Sequence, residues 1–182
     1  HPDHSAVWNH GIPLRMKWLF LLAELVSNQA FSAITVVCNG TDDRPAIQAA
    51  LTAPPTIVTL EGVCNTASGW IYVTHPQGGG NQLGETVLQG GVIRGVGIEI
   101  NGARRVVIRG TEIYSTGHSA IWVRNAIMVE LNGIYVYAEN NGIVLESIAA
   151  VWITGKSQIT GTSPTGIGLK IGDSAAGFEA VD

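Results

Sequence analysis

Four segments of the 182-residue chain repeat one pattern: Gly97-Ile98-Glu99-Ile100, Ala120-Ile121-Trp122-Val123, Gly142-Ile143-Val144-Leu145 and Gly166-Ile167-Gly168-Leu169. Their isoleucines, Ile98, Ile121, Ile143 and Ile167, advance by 23, 22 and 24 residues. A second element repeats in phase, as Val106-Val107-Ile108-Arg109-Gly110, Val129-Glu130-Leu131-Asn132-Gly133 and Val151-Trp152-Ile153-Thr154-Gly155. A third follows each of those glycines, around Ile113, Val136 and Ile159. Self-similarity at a fixed period marks a solenoid, because one repeat cannot bury its apolar face without its neighbours. Each repeat holds three short runs of period two, the spacing of strands with one face buried. Three strands per turn of about 22 residues predict an all-β fold, a right-handed single-stranded parallel β-helix. The domain is expected to span residues 34–182.

The composition suits such a stack. Only 13% of residues are charged while 46% are apolar, and the 23 glycines supply corners where the chain must turn sharply. The net charge of −4 and the single basic cluster, Arg104, Arg105 and Arg109, argue against a nucleic-acid partner. Residues 1–33 form an upstream segment. Met16-Lys17 precedes an apolar run from Trp18 to Ala23 with Leu25 and Val26, and Ala30-Phe31-Ser32 places small residues two apart. Residues 16 to about 32 therefore read as a secretory signal, although Glu24 interrupts the apolar run. The alternative is an amphipathic or buried cap helix. The run is too short for an ordinary membrane span, so membrane contact is expected only through such a signal. Residues 1–15, with three histidines, read as sequence upstream of a start at Met16. Secretion or display at the cell surface would allow Cys38 and Cys64 to pair, with two buried free thiols as the alternative. Two cysteines without ordered histidine spacing do not make a zinc site.

Residues 34–38 read as a strand and Asn39-Gly40 as a turn. Asp42 or Asp43 is placed to cap a helix over 44–52, with Pro45 in its first turn and Ile47, Ala50 and Leu51 on one face. Pro54-Pro55 stops it, and strands are expected at 56–60 and 71–73. Residues 75–85, with Gly78-Gly79-Gly80, read as a loop projecting between coils.

The stretch from Asn39-Gly40-Thr41-Asp42-Asp43 through Ala46-Ile47-Gln48-Ala49-Ala50-Leu51 to Ile57-Val58-Thr59-Leu60-Glu61-Gly62 resembles the N-terminal motif of the pectate-lyase-like superfamily. That motif is a Gly-Xaa-Thr-Asp-Asp turn, a helix written Ala-Ile-Gln-Ala-Ala, and a strand ending in Pro-Xaa-Gly-Xaa-Tyr. Glu61 and Cys64 depart from its Pro and Tyr. The resemblance covers residue 36 to about 182. It implies a helix that plugs the N-terminal end of the solenoid and hides strand edges that would otherwise aggregate. It also implies a family of polysaccharide lyases, glycoside hydrolases and phage tailspikes, and Ca²⁺ as a cofactor by resemblance alone. The residues themselves specify no cofactor and no metal site: no cluster of aspartates falls on consecutive rungs. No second plug follows Ile171, and members of this superfamily are longer. The domain is therefore expected to be truncated at its C-terminus, or to cover its last coil by homo-oligomer formation.

Side chains alternate in and out along each strand, so equivalent outward positions on successive coils form ladders. On the first strand these are Tyr72, Glu99, Trp122, Val144, Gly168, and Thr74, Asn101, Arg124, Glu146, Lys170. On the second they are Val107, Glu130, Trp152 and Arg109, Asn132, Thr154, and on the third Glu112, Tyr135, Gln158 and Tyr114, Tyr137, Thr160. Sugar rings have apolar faces and polar edges, so Tyr72, Glu99 and Trp122 are candidate substrate-binding residues. Arg124, Glu146 and Lys170 are candidates for an acidic polysaccharide, or for an acid held between two cations. The structural alternative is that such ladders merely stabilise the sheet, by a few tenths to about 1 kcal/mol per pair. No catalytic pair emerges. Glu99 and Glu146 lie two rungs apart, roughly 10 Å, slightly long for paired glycosidase carboxyls. The paired-Asp and Gly-His-Gly motifs of the polygalacturonase branch are absent, and His118 reads as an exposed corner residue. The expected function is a secreted carbohydrate-active β-helix protein of polysaccharide lyase or glycoside hydrolase type that binds glycan rather than cleaving it alone. The alternative is a non-enzymatic structural module, such as a phage tailspike stem or surface adhesin.

Overall fold

A computed structural model describes residues 32–52, 56–73 and 85–172. The expected signal and nearly all of the upstream segment, up to residue 31, lie outside the described residues, as do residues 75–84 of the expected loop. The fold is the parallel β-helix with three strands per coil that the repeats predict, of about five turns.

The chain enters through β1 (Ser32–Val37) and helix α1 (Arg44–Ala50), followed by β2 (Thr56–Glu61), β3 (Val63–Thr66) and β4 (Ile71–Val73). The middle coils hold β5 (Thr86–Gln89), β6 (Val92–Gly95), β7 (Ile98–Asn101), β8 (Arg105–Arg109) and β9 (Glu112–Ser115). The later coils hold β10 (Ile121–Asn132), β11 (Tyr135–Ala138), β12 (Ile143–Thr154), β13 (Gln158–Gly161) and β14 (Leu169–Ile171). All described pairings are parallel. Column one stacks β4, β7, the first parts of β10 and β12, and β14. Column two stacks β1, β2, β5, β8 and the second parts of β10 and β12. Column three stacks β3, β6, β9, β11 and β13.

The repeats predict separate first and second strands, yet β10 and β12 each serve both columns as one 12-residue strand. The corner between them shrinks to a single left-handed residue, Asn125 at φ 50° and Ser147 at φ 52°. Pairing resumes at once on either side of that residue, so the strand bends without ending. Asparagine and serine there carry a modest strain that glycine would not. At the corner between columns three and one the demand for glycine is absolute at Gly97: a Cβ would stand 2.4 Å from the Ala120 carbonyl oxygen.

The interior is a continuous apolar stack. Ile71, Ile98, Ile121 and Ile143 are fully buried in one column-one row, with Ile108, Leu131, Ile93, Ile113 and Val136 filling the other sides. The expectation that Ile167 continues the isoleucine row is wrong. Ile143 pairs with Leu169, an advance of 26 residues (169 − 143), and Ile167 is 48% exposed. The corner between β13 and β14 carries a turn in which the Gly166 N–H donates to the Ser163 carbonyl, and it takes up two residues more than the repeat allows. On column one the last rung shifts with it, whereas Trp152, Thr154, Gln158 and Thr160 keep their expected rungs.

At the N-terminal end side chains close columns one and three, while column two ends in β1, which pairs with β2. Gln48 of α1 acts as a stand-in peptide group for β4: its Nε2 donates to the Tyr72 carbonyl at 2.9 Å and its Oε1 accepts the Tyr72 N–H at 2.9 Å. At β3, Asn65 donates its N–H to the Asp43 carboxylate at 2.9 Å and accepts from the Asp43 N–H at 2.9 Å. Neither aspartate caps the helix through its side chain. Asp43 occupies the cap position without a capping bond, and its carboxylate instead accepts the N–H groups of Asn39, Gly40 and Asn65. Asp42 accepts from the Ser68 hydroxyl. The helix stops at Ala50, with Leu51 and Thr52 in a turn, and buries Ile47, Ala50 and Leu51. A disulfide joins Cys38, just after β1, to Cys64 in β3, with Cα atoms 4.9 Å apart.

Candidate functional site

Tyr72, Glu99, Trp122 and Val144 stand in register on the outer face of column one, and the next rung is Lys170 rather than Gly168. Glu99 points outward, since Ile98 and Ile100 beside it are buried in the core, yet only 4% of it is exposed. A carboxylate so withdrawn from water needs a charged partner. Arg124 supplies it, donating through Nε at 2.9 Å and through Nη2 to the same Oε1. The same guanidinium lies over the Trp122 ring, 4.4 Å from its centroid.

This pairing corrects the expected charged ladder. Arg124 and Glu146 are backbone neighbours in register, but Arg124 turns diagonally back to Glu99. Diagonal neighbours lie within reach of a long side chain. Glu146 is engaged elsewhere: its Oε2 accepts the Trp122 indole N–H at 3.0 Å, satisfying a donor that seeks a partner when partly buried. Lys170 falls beside Val144, and Glu146 is followed by Gly172. The ladder Arg124–Glu146–Lys170 therefore does not exist as a row of alternating ion pairs. Asn101 and Asn125 are joined instead, at the corner, by a 3.2 Å amide bond. Thr74 lies outside the described residues.

Two aromatic residues join Trp122 that the ladders did not identify as part of a site. Trp70, immediately before β4, lies with its ring centroid 6.3 Å from that of Trp122 and tilted by 55°. His118 is exposed at its corner, as expected, and also packs edge-on against Trp70 at 5.6 Å. With Asn140, Asn141, Glu146 and Lys170 they line an open cleft of about 300 Å³. Its lining is drawn from β10, β12 and β14 and from the corners beside them, with Trp70 leaning in from just before β4. Tyr72, Glu99 and Arg124 do not line it. Tyr72 belongs to the closed N-terminal end, where the Arg44 guanidinium stands 5.7 Å from its ring centre, and Arg124 and Glu99 brace Trp122 from the side. A sequence signal for Trp70 does exist. The residue preceding each row position is Gly97, Ala120, Gly142 and Gly168, all small, whereas before Ile71 it is Trp70.

The other faces are built differently. On column three, Tyr114 and Tyr137 stack at 5.0 Å with an interplanar angle of 7°, and Arg94 lies 5.5 Å from the Tyr114 ring centre. Their faces are turned to one another along the axis. Desolvation, then the hydrogen bond to Glu112 and its charge, push the Tyr114 phenol up. On column two, Gln89 donates to Thr59 at 2.8 Å and accepts from Arg109 at 2.7 Å, a ladder satisfied within itself. A second cleft of about 400 Å³ on that column is lined by Arg105, Val107, Met128, Glu130, Trp152 and Thr154.

The Ca²⁺ implied by resemblance finds no fit. Among the described residues no three acidic, histidine or cysteine side chains come together as a metal site. The carboxylates are taken up singly: Glu99 by Arg124, Glu85 by Arg105 at 2.9 Å, Glu139 by the Gly117 N–H at 2.7 Å, and Asp43 by three backbone N–H groups. Among the described residues no helix is long and apolar enough to cross a membrane. Comparison with protein-family models, with curated proteins and with solved structures finds no match for this chain.

Proposed function

We propose that this β-helix is a secreted or cell-surface glycan-binding protein whose binding site is the column-one cleft, and that the chain alone does not cleave its ligand. The observation that carries this reading is the meeting of Trp70, Trp122 and His118 in one cleft edged by Asn140, Asn141 and Glu146. Aromatic faces suit the apolar face of a pyranose, and amides and a carboxylate suit its hydroxyls. The N-terminal motif supports membership of the pectate-lyase-like superfamily, and the solenoid is compatible with it. The disulfide fits an oxidising compartment. Binding without turnover follows from the carboxylates. Glu99 is buried against Arg124 and Glu146 is bonded to an indole, so neither is presented with a second carboxyl as an acid–base pair.

The test is a binding screen of the chain against polysaccharides with Trp122→Ala and Trp70→Ala alongside. Each variant is expected to lose about tenfold in affinity, equivalent to about 1.4 kcal/mol, while its melting temperature stays near that of the parent. Undiminished binding in both variants moves the site off column one. Release of new reducing ends or of unsaturated products by the isolated chain overturns the non-catalytic reading.

A non-enzymatic structural module, such as a tailspike stem or adhesin, is favoured by one observation. Ile153, Ile167, Leu169 and Ile171 are exposed together near the last described rungs, as an assembly surface would require. Sedimentation separates the two readings: a concentration-dependent oligomer that binds no glycan supports the module.

A further inference from the structure

Resting on the glycan reading, we infer that the cleft selects a charge-neutral, hydroxyl-rich glycan chain and discriminates against uronate-bearing ones. The argument lies in how its charges are already committed. Arg124 lies 4.4 Å from the Trp122 ring centroid, and it is occupied twice, by the buried Glu99 carboxylate and by the face of that ring. Freeing it for a ligand carboxylate would leave Glu99 buried and unpaired, a costly exchange. The charge that the cleft does present beside Trp122 is negative. Glu146 gives one oxygen to the indole N–H and keeps the other as an acceptor.

Lys170 is the one lysine or arginine among the residues lining the cleft, and it stands on the rung after Val144, three strand spacings along from Glu99 and two beyond Trp122. It is exposed, so its influence at the platform is screened by ordinary salt. The other polar groups are the Asn140 and Asn141 amides, the Ser119 hydroxyl and the His118 ring. Asn140 donates its Nδ2 to the Gly117 carbonyl at 2.9 Å, which leaves its oxygen as an acceptor. Sugar hydroxyls both donate and accept, so neutral polar groups of this kind pair with a neutral sugar without a counter-charge. A uronate carboxylate seated on Trp122 would instead meet Glu146 with no free cation on its rung, and like charges so placed repel strongly when partly desolvated.

Titration calorimetry with size-matched hexasaccharides of neutral glucan or galactan and of galacturonate or mannuronate, at low and physiological salt, tests the inference. The parent chain should bind its best neutral ligand at least tenfold more tightly than any uronate. Glu146→Gln keeps an acceptor oxygen and removes the charge, so it should narrow that ratio at least tenfold. Glu99→Gln, which releases Arg124, should narrow it as well. Stronger uronate binding by the parent chain overturns the inference while leaving the glycan reading intact. An unchanged ratio in a folded Glu146→Gln variant also overturns it. Failure of every hexasaccharide of both classes to bind overturns both readings together.

Discussion

The first coil and the last described coil of the solenoid are covered unequally. At the N-terminal end two strand edges are covered by side chains, the Gln48 amide on column one and Asp43 with its own backbone on column three, while column two ends in β1. At the other end Leu169 and Ile171 occupy β14, and they are exposed where their counterparts one coil earlier are buried. The difference teaches how little is needed to terminate a parallel stack. A single amide or carboxylate, placed by a two-turn helix, can replace the donor and acceptor that a whole neighbouring strand would supply. It also implies a gradient. In a solenoid each coil is stabilised by its neighbours, so a coil with one neighbour contributes least.

The sharpest way to break the comparison is to strike the middle, where both ends depend on the same row. Ile121 is fully buried between Ile98 and Ile143. Ile121→Asp places an unpaired charge between two coils, with no polar partner in the row. Cooperative folding should be abolished, seen as loss of the thermal transition followed by far-ultraviolet circular dichroism. A retained transition near the parent's would mean that the coils on either side fold independently, and that no continuous stack links the ends.

A smaller effect is expected at the closed end. Burial pushes the Asp43 carboxyl up, but the N–H groups of Asn39, Asn65 and Gly40 outweigh it and hold the group below its ordinary value of 3.8. A carboxylate with a depressed folded-state pKa stabilises fully above the ordinary value, and that stabilisation is lost as pH falls through the folded-state value. Asp43→Asn should therefore cost about 1.5–3 kcal/mol at neutral pH, the scale of a charge-assisted bond. It should also flatten the stability profile below about pH 4. Urea titrations across that range measure both. A variant profile as steep as the parent's would assign the acid sensitivity to other carboxylates.

How far the sequence speaks depends on which periodicity carries the message. The isoleucine row from Ile98 to Ile143 announces the coil because a buried row tolerates little else, and the three strand positions follow in phase. The last rung is misread for a physical reason. Strand alternation has period two, so a slip of two residues from Ile167 to Leu169 keeps every side chain on its expected face and leaves no mark in the pattern. The candidate site was half visible. The outward register of Glu99 and Trp122 follows from alternation, but Arg124 has Glu99 and Glu146 both within reach, and only the three-dimensional placement of the Trp122 indole decides between them. Asp43 looked like a helix cap because its local sequence suits one, whereas its partner Asn65 lies 22 residues away. Trp70 went unnoticed because it stands just outside a strand, at a position whose small residues elsewhere attract no attention.

The smallest predicted effect tests the last described coil most directly. Ile98 and Leu169 occupy the same inward row, yet Ile98 is fully buried and Leu169 is 41% exposed. Ile98→Ala removes atoms from a closed interior and should cost about 2–5 kcal/mol. Leu169→Ala removes atoms that already face water on one side, and should stay within about 0.5 kcal/mol, as surface substitutions usually do. Chemical denaturation of the two variants at a single low concentration gives the comparison. A ratio near unity would mean that the last coil is covered in solution. Repeating the Leu169→Ala measurement at higher concentration then identifies the cover: a penalty that grows with concentration belongs to a second copy seated on the end, because a partner that binds only the folded chain stabilises it by mass action. A penalty that is small at every concentration leaves the first coil and the last described coil as unequal in solution as they are in the structure, with the gradient of stability running from Asp43 and Gln48 toward β14.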